Sequence, residues 1–120
     1  MSPSAEQSEK LARMSFASVY PHYVAKIEKK GRSREELEQV IAWFTGYNRD
    51  AMETCLNQKL SFREFFDGAN LPSGATLITG LICGYRIEEI EDPLTRKIRC
   101  LDKLVDELAK GRKMEKIIRS

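Results

Sequence analysis

Residues 92–110, "DPLTRKIRCLDKLVDELAK", constrain this chain more than any other stretch. Leu94, Ile98, Leu101, Val105 and Leu108 recur at spacings of 4, 3, 4 and 3. That a/d alternation lays one apolar seam along a helix. Leu104 widens it beside Leu101 and Leu108, as in a helix packed on a core. Asp92 before Pro93 reads as an N-cap followed by proline in the first turn. Gly111 reads as the stop. Two acid-first pairs at i, i+4, Asp92 with Arg96 and Asp106 with Lys110, explain the intervening charge without a ligand. A seam of this kind has to be covered, and 120 residues give one domain in which to do it. A chain of that length can bury a core without metals or disulfides.

The covering elements are also helical. In "SFASVYPHYVAKIEKKG", Tyr20, Tyr23, Val24 and Ile27 fall on one helix face, with Pro21 placed in the first turn. Ser33 and Glu36 form a capping box that opens a second helix. Its stripe is Leu37, Val40, Ile41 and Phe44, flanked by Trp43 and ended by Gly46. Asn48 caps a third helix with Met52, Cys55 and Leu56 inward, and Ser61 with Glu64 opens a short one carrying Phe62, Phe65 and Phe66. "TLITGLICGYRIEEIED" is ambiguous. Its Thr, Ile and Tyr suit a strand, but Leu77, Leu81 and Tyr85 lie at i, i+4, i+8 and no convincing partner strand exists, so a helix over 77–90 is favoured. "RKMEKIIRS" makes a last short turn or helix. The expected fold is therefore all-α: a compact single-domain bundle of about five or six short helices. Residues 1–10 are read as a flexible N-terminal tail and 11–120 as the helical domain. Trp43, Phe44, Phe65 and Leu81 are expected in the core.

The segments "MSFASVYPHYVAKIEKKGRS", "WFTGY" and "ICGYRIEEIEDPLTRKIRCLDKLVDELAKGRKMEKI" resemble the small bacterial family catalogued as domain of unknown function 2200. The resemblance runs from about Met14 to the C-terminus. It implies a compact, mainly helical protein of the bacterial cytoplasm, and it carries over no catalytic, cofactor or metal residues.

Several function classes find little support. Lys plus Arg number 20 against 18 Asp plus Glu, so a net charge of +2 steers weakly towards nucleic acid or anionic lipid. Cys55, Cys83 and Cys100 are odd in number and lack a CxxC, which favours free thiols in a reducing cytoplasm. The N-terminus has no apolar h-region. "LITGLICGY" is far short of the roughly 20 residues that a membrane span needs, so no membrane partner is expected. His22 with Cys83 or Cys100 has the residue types of a nucleophile–base couple, but no acid orients it and buried cysteines are usually core. Glu88, Glu89, Glu91 and Asp92 lack the spacing and number that a hard cation requires, and Arg86 with Glu89 offers an ordinary ion pair. No glycine pattern cradles a phosphate. No catalytic, metal or cofactor site is assigned.

Two surfaces remain. The hairpin 34–59 can be laid on a helix-turn-helix, with Arg49, Asn57 and Gln58 able to reach bases. Asp50 and Glu53 on the same helix oppose phosphate, so nucleic-acid binding is the alternative rather than the first reading. Basic clusters at 26–34 and 110–119 lie at helix C-termini, where the dipole explains them; brought together, they would offer a patch to an acidic partner or RNA. The preferred reading is a non-catalytic interaction or structural module that forms a homodimer. Its candidate interface is Leu101, Leu104, Leu108, Met114, Ile117 and Ile118, which a single small chain is not expected to cover.

Overall fold

The computed structural model describes residues 3–119. Its axis is α6 (Pro93–Ala109), the helix of the seam. Around it pack α1 (Ala5–Arg13), α2 (Phe16–Lys29), α3 (Arg34–Thr45), α5 (Phe62–Asp67) and α7 (Met114–Ile117), while α4 (Arg49–Asn57) lies on α2 and α3. The expectation of a mostly helical single-domain bundle holds. Ile98, Leu101, Leu104, Val105 and Leu108 are all buried and form the centre of the core.

Local chemistry sets most boundaries. The Ser33 hydroxyl accepts from the Glu36 amide at 3.2 Å, while the Glu36 carboxylate accepts from the Ser33 amide at 3.0 Å. Ser61 and Glu64 repeat the arrangement. Each box satisfies two amides that the first turn leaves open. Asp92 Oδ2 caps α6 through the Thr95 amide at 2.8 Å and hydroxyl at 2.7 Å. The starts of α2 and α5 are joined by an isolated antiparallel bridge between their N-caps, Ser15 and Ser61. That bridge brings Phe16 onto Phe65, whose rings stack at 4.1 Å. Phe62 and Phe66 extend the aromatic cluster.

Four expectations are corrected. Residues 77–90 do not form a helix. A 3-10 turn at Ser73–Leu77 leads into a minimal hairpin, β1 (Leu81–Ile82) against β2 (Tyr85–Arg86), and a second 3-10 turn at Ile87–Glu89. Cys83 and Gly84, at φ +52° and +84°, make the two-residue turn, and Gly80 stands at +105°. Positive φ at both central positions is the turn that matches strand twist. It is incompatible with a right-handed helix. Leu81 is consequently exposed, at 60%, rather than in the core. Trp43 is half-buried, packed beside the core and tilted against Phe44. Pro21 lies inside α2, because Ser15 caps that helix six residues earlier.

The stretch read as a tail is helical from Ala5 onward; Met1 and Ser2 lie outside the described residues. Ser4 and Gln7 form a capping box at its start, and α1 packs on α5 and α6.

Candidate functional site

α6 has two working faces. The seam faces the core. One flank carries Pro93, Arg96, Lys97 and Cys100, at i, i+3, i+4 and i+7, which is a single stripe along the helix. Opposite this stripe runs the limb 69–78, which leaves α5 and crosses back towards α6. Its backbone is tied to the end of α3 by the Asn70 amide donating to the Thr45 carbonyl at 2.8 Å. Between stripe and limb lies a groove of about 330 Å³. Leu71, Ala75 and Pro93 supply its accessible apolar surface, backed by the buried Phe44, Ile78 and Cys100; Glu91, Arg96 and Lys97 stand around it. Burial pushes the Cys100 thiol up to about 11, so at neutral pH it is an uncharged part of the lining.

The limb continues into the hairpin, and two large apolar side chains stand exposed along it. Leu77 is 56% exposed and Leu81 60%. With Met14, the C-cap of α1, these are the large exposed hydrophobic residues among those described. The hairpin is held to α6 by polar ties. Lys103 Nζ donates to the Leu81 carbonyl at 3.0 Å, and Arg99 Nη1 donates to Cys83 Sγ at 3.3 Å. Arg99 also pairs with Asp102 at 2.9 Å, and Asp102 accepts from the Tyr23 hydroxyl at 2.6 Å. Burial, reinforced by the Asp102 carboxylate, raises the Tyr23 phenol well above its ordinary value, so this hydroxyl is a donor and not a titrating group.

The residues singled out from sequence fall elsewhere. Leu101, Leu104, Leu108 and Ile117 have no accessible surface, and Met114 and Ile118 are partly buried. The open patch expected there is closed by the chain's own α7. Glu107, itself buried, anchors that closure by accepting from Arg112 at 3.0 Å and Arg119 at 2.6 Å. In the hairpin 34–59, Gly46 at φ +77° gives a short turn of helix-turn-helix length. Arg49, however, donates to Glu38 at 3.2 Å, and Asn57 and Gln58 share an exposed surface with Asp50 and Glu53. His22 is exposed on α2, whereas Cys83 is engaged by a guanidinium and Cys100 is buried. Among the described residues no cluster of three or more His, Cys, Asp or Glu is placed to hold a metal ion. No described helix is long and apolar enough to cross a membrane.

The two basic clusters do converge. α2 and α6 run parallel: Tyr23 meets Asp102, Lys26 meets Asp106 at 3.3 Å, and Arg32 donates to the carbonyls of Leu108 and Arg112 at 3.1 and 2.8 Å. Two helix C-termini thus lie side by side, each with its partial negative charge. Lys26 and Lys110 bracket Asp106 there. The dipoles account for positive charge at this end without any partner.

The groove and the exposed leucines were not visible in the sequence reading, because treating 77–90 as helix put Leu81 inside. The available signal was Gly80 with Gly84: two glycines around a short apolar run suit a turn as readily as a close helix crossing.

A family model described as an uncharacterized protein conserved in bacteria, DUF2200, matches residues 10–119. The chain is also similar to the crystal structure of an uncharacterized protein, SP1917. The two share 45% identity at a TM-score of 0.85, over 92% of this chain and 91% of that one. Among curated proteins nothing matches.

Proposed function

The chain belongs to the bacterial DUF2200 family, and from its own surface we propose that it is a non-catalytic interaction module whose contact surface is the exposed side of the limb and hairpin at Leu77 and Leu81. The observation that carries this reading is the exposure of Leu77 and Leu81 on one limb of a molecule whose other large apolar residues are nearly all covered. Exposed apolar surface gathered in one place is a mark of an interface. Leu77 ends the 3-10 turn and Leu81 opens the hairpin that follows it. The partner proposed first is a second copy, since twofold dimers are the commonest closed assembly. This moves the expected homodimer contact from the C-terminal helix to the limb. A cytoplasmic setting fits the three free thiols.

The test pairs Leu77→Asp with Leu81→Asp. Both side chains are exposed, so the double variant should keep the helical circular dichroism and melting temperature of the parent. Light scattering coupled to gel filtration should show the parent self-associating at high micromolar concentration and the variant not. A parent that is strictly monomeric there, and recovers no protein from a native lysate that the variant fails to recover, would remove the limb as a contact surface. The nucleic-acid alternative has its own readout, a salt-sensitive shift with random duplex.

A further inference from the structure

The groove beside the limb carries an inference that goes beyond the contact surface proposed above. Arg96 and Lys97 stand on its rim, and neither has an ion-pair partner among the described residues. Asp92, the acid placed to balance Arg96, is instead committed to capping α6 through Thr95. Many cations elsewhere in the molecule are explained by helix C-termini, by acids across a contact or, as for Arg34 and Lys103, by a tyrosine ring or a backbone carbonyl. These two are not: they sit early in α6, nearer its positive end, where the dipole favours anions. The surface they overlook is apolar, formed by Leu71, Ala75 and Pro93, with the covered side chains of Phe44 and Ile78 and the neutral Cys100 thiol behind it. An apolar hollow with a few convergent charged groups is the ordinary form of a small-molecule site, and about 330 Å³ lies at the lower end of the usual range.

We propose that this groove binds a small organic carboxylate, with an acyl or aryl body against Leu71, Ala75 and Pro93 and its carboxylate held by Arg96 and Lys97. Charge complementarity selects the anion. Glu91 stands on the same rim and opposes it, but two cations outweigh one acid. It also disfavours multiply charged ligands such as phosphates, and the apolar walls disfavour small hydrophilic acids. Arg offers a fork that matches a carboxylate geometrically, and Lys adds a point charge.

The probes are octanoate and 1-octanol, which share an apolar chain and differ in charge. Amide chemical shifts of the full chain are followed in a titration up to about 10 mM, the range expected of fragment-sized ligands. Octanoate should saturate and move amides of Ala75, Thr76, Arg96 and Cys100, and bind about tenfold or more tighter than octanol. In Arg96→Gln/Lys97→Gln, the first position exposed and the second partly so, octanoate should fall to the affinity of octanol. Equal binding of the two probes by the parent would overturn the carboxylate and leave an apolar hollow. Absence of any shift at the groove, or octanoate shifts centred on Lys29, Lys30, Lys113 and Lys116 instead, would overturn the site. The exposed leucines are read by a separate assay, so neither result bears on the contact surface.

Discussion

At the scale of single residues the fold is held by contacts that sequence can nominate but not rank. Phe65 was nominated by its place in "FREFF", and the structure makes it the hub of the aromatic cluster. It stacks on Phe16, meets Phe66 edge-on at 5.1 Å and lies 5.1 Å from Tyr47, whose hydroxyl donates to its carbonyl. Phe65→Ala should cost about 3–5 kcal/mol in urea unfolding. Leu77→Ala, a comparably apolar truncation at an exposed position, should stay within about 0.5 kcal/mol. Similar losses from both would mean that the limb is packed. Glu36 gives a pH signature. Hydrogen bonds from Arg32, then from the Ser33 amide, lower its carboxyl from 4.5 to about 2. A depressed folded pKa contributes stability that is complete above the unfolded value and is lost as pH falls through the folded one. The parent should therefore lose stability between about pH 5 and pH 2. Glu36→Gln, already lacking the charge, should show a flatter acid limb in melts taken across that window. An unchanged slope would show that the Arg32 pair is screened by water.

At the scale of elements, legibility followed the presence of a local stop or start. The capping boxes at Ser33 and Ser61, the cap at Asp92 and the glycine ends at Gly46 and Gly111 were all readable, since each depends on neighbours within four residues. The limb was not. Its hairpin is two residues per strand, too short for an alternation to register, and it is stabilised by contacts to α6 that no local pattern encodes. α1 was missed for a different reason: Ser4 and Gln7 do spell a capping box, but a mean composition rich in charge made the segment look like a tail. The limb offers a decisive test. Were 77–90 helical, Gly80→Ala and Gly84→Ala would each stabilise the protein by about 1 kcal/mol. In the observed hairpin both positions have positive φ, so each substitution should destabilise by more than about 1 kcal/mol, even though nothing crowds the new Cβ at Gly84. Chemical denaturation of the two variants distinguishes the outcomes by sign.

At the scale of the whole molecule, the question is what covers the seam of α6. An open C-terminal patch is expected if five or six short helices fail to cover both Leu101–Leu108 and the trailing Ile117. The structure adds a covering helix, α1, in a stretch whose composition reads as a tail, and replaces the helix expected over 77–90 with turns and a hairpin. With α1 packed on α5 and α6, and α2 running parallel to α6, the seam is enclosed from several sides. α7 then folds back so that Ile117 reaches the core, and its return is fixed electrostatically by Glu107, buried beneath Arg112 and Arg119. A buried carboxylate is tolerable only with such partners, and one of its oxygens still has none among the described residues. Closure of the monomer therefore depends on the last few residues, and this gives the final prediction. Ile117→Asp places a carboxylate in a site with no accessible surface, next to a carboxylate that already holds both nearby arginines. It should destabilise by about 3–5 kcal/mol and lower helical circular dichroism and melting temperature together. A dimer interface at Ile117 would behave differently. The variant would dissociate yet keep its helical signal, and light scattering beside circular dichroism on the same sample separates the cases. Loss of mass with helicity intact would return the interface to the C-terminal helix and remove Ile117 from the core.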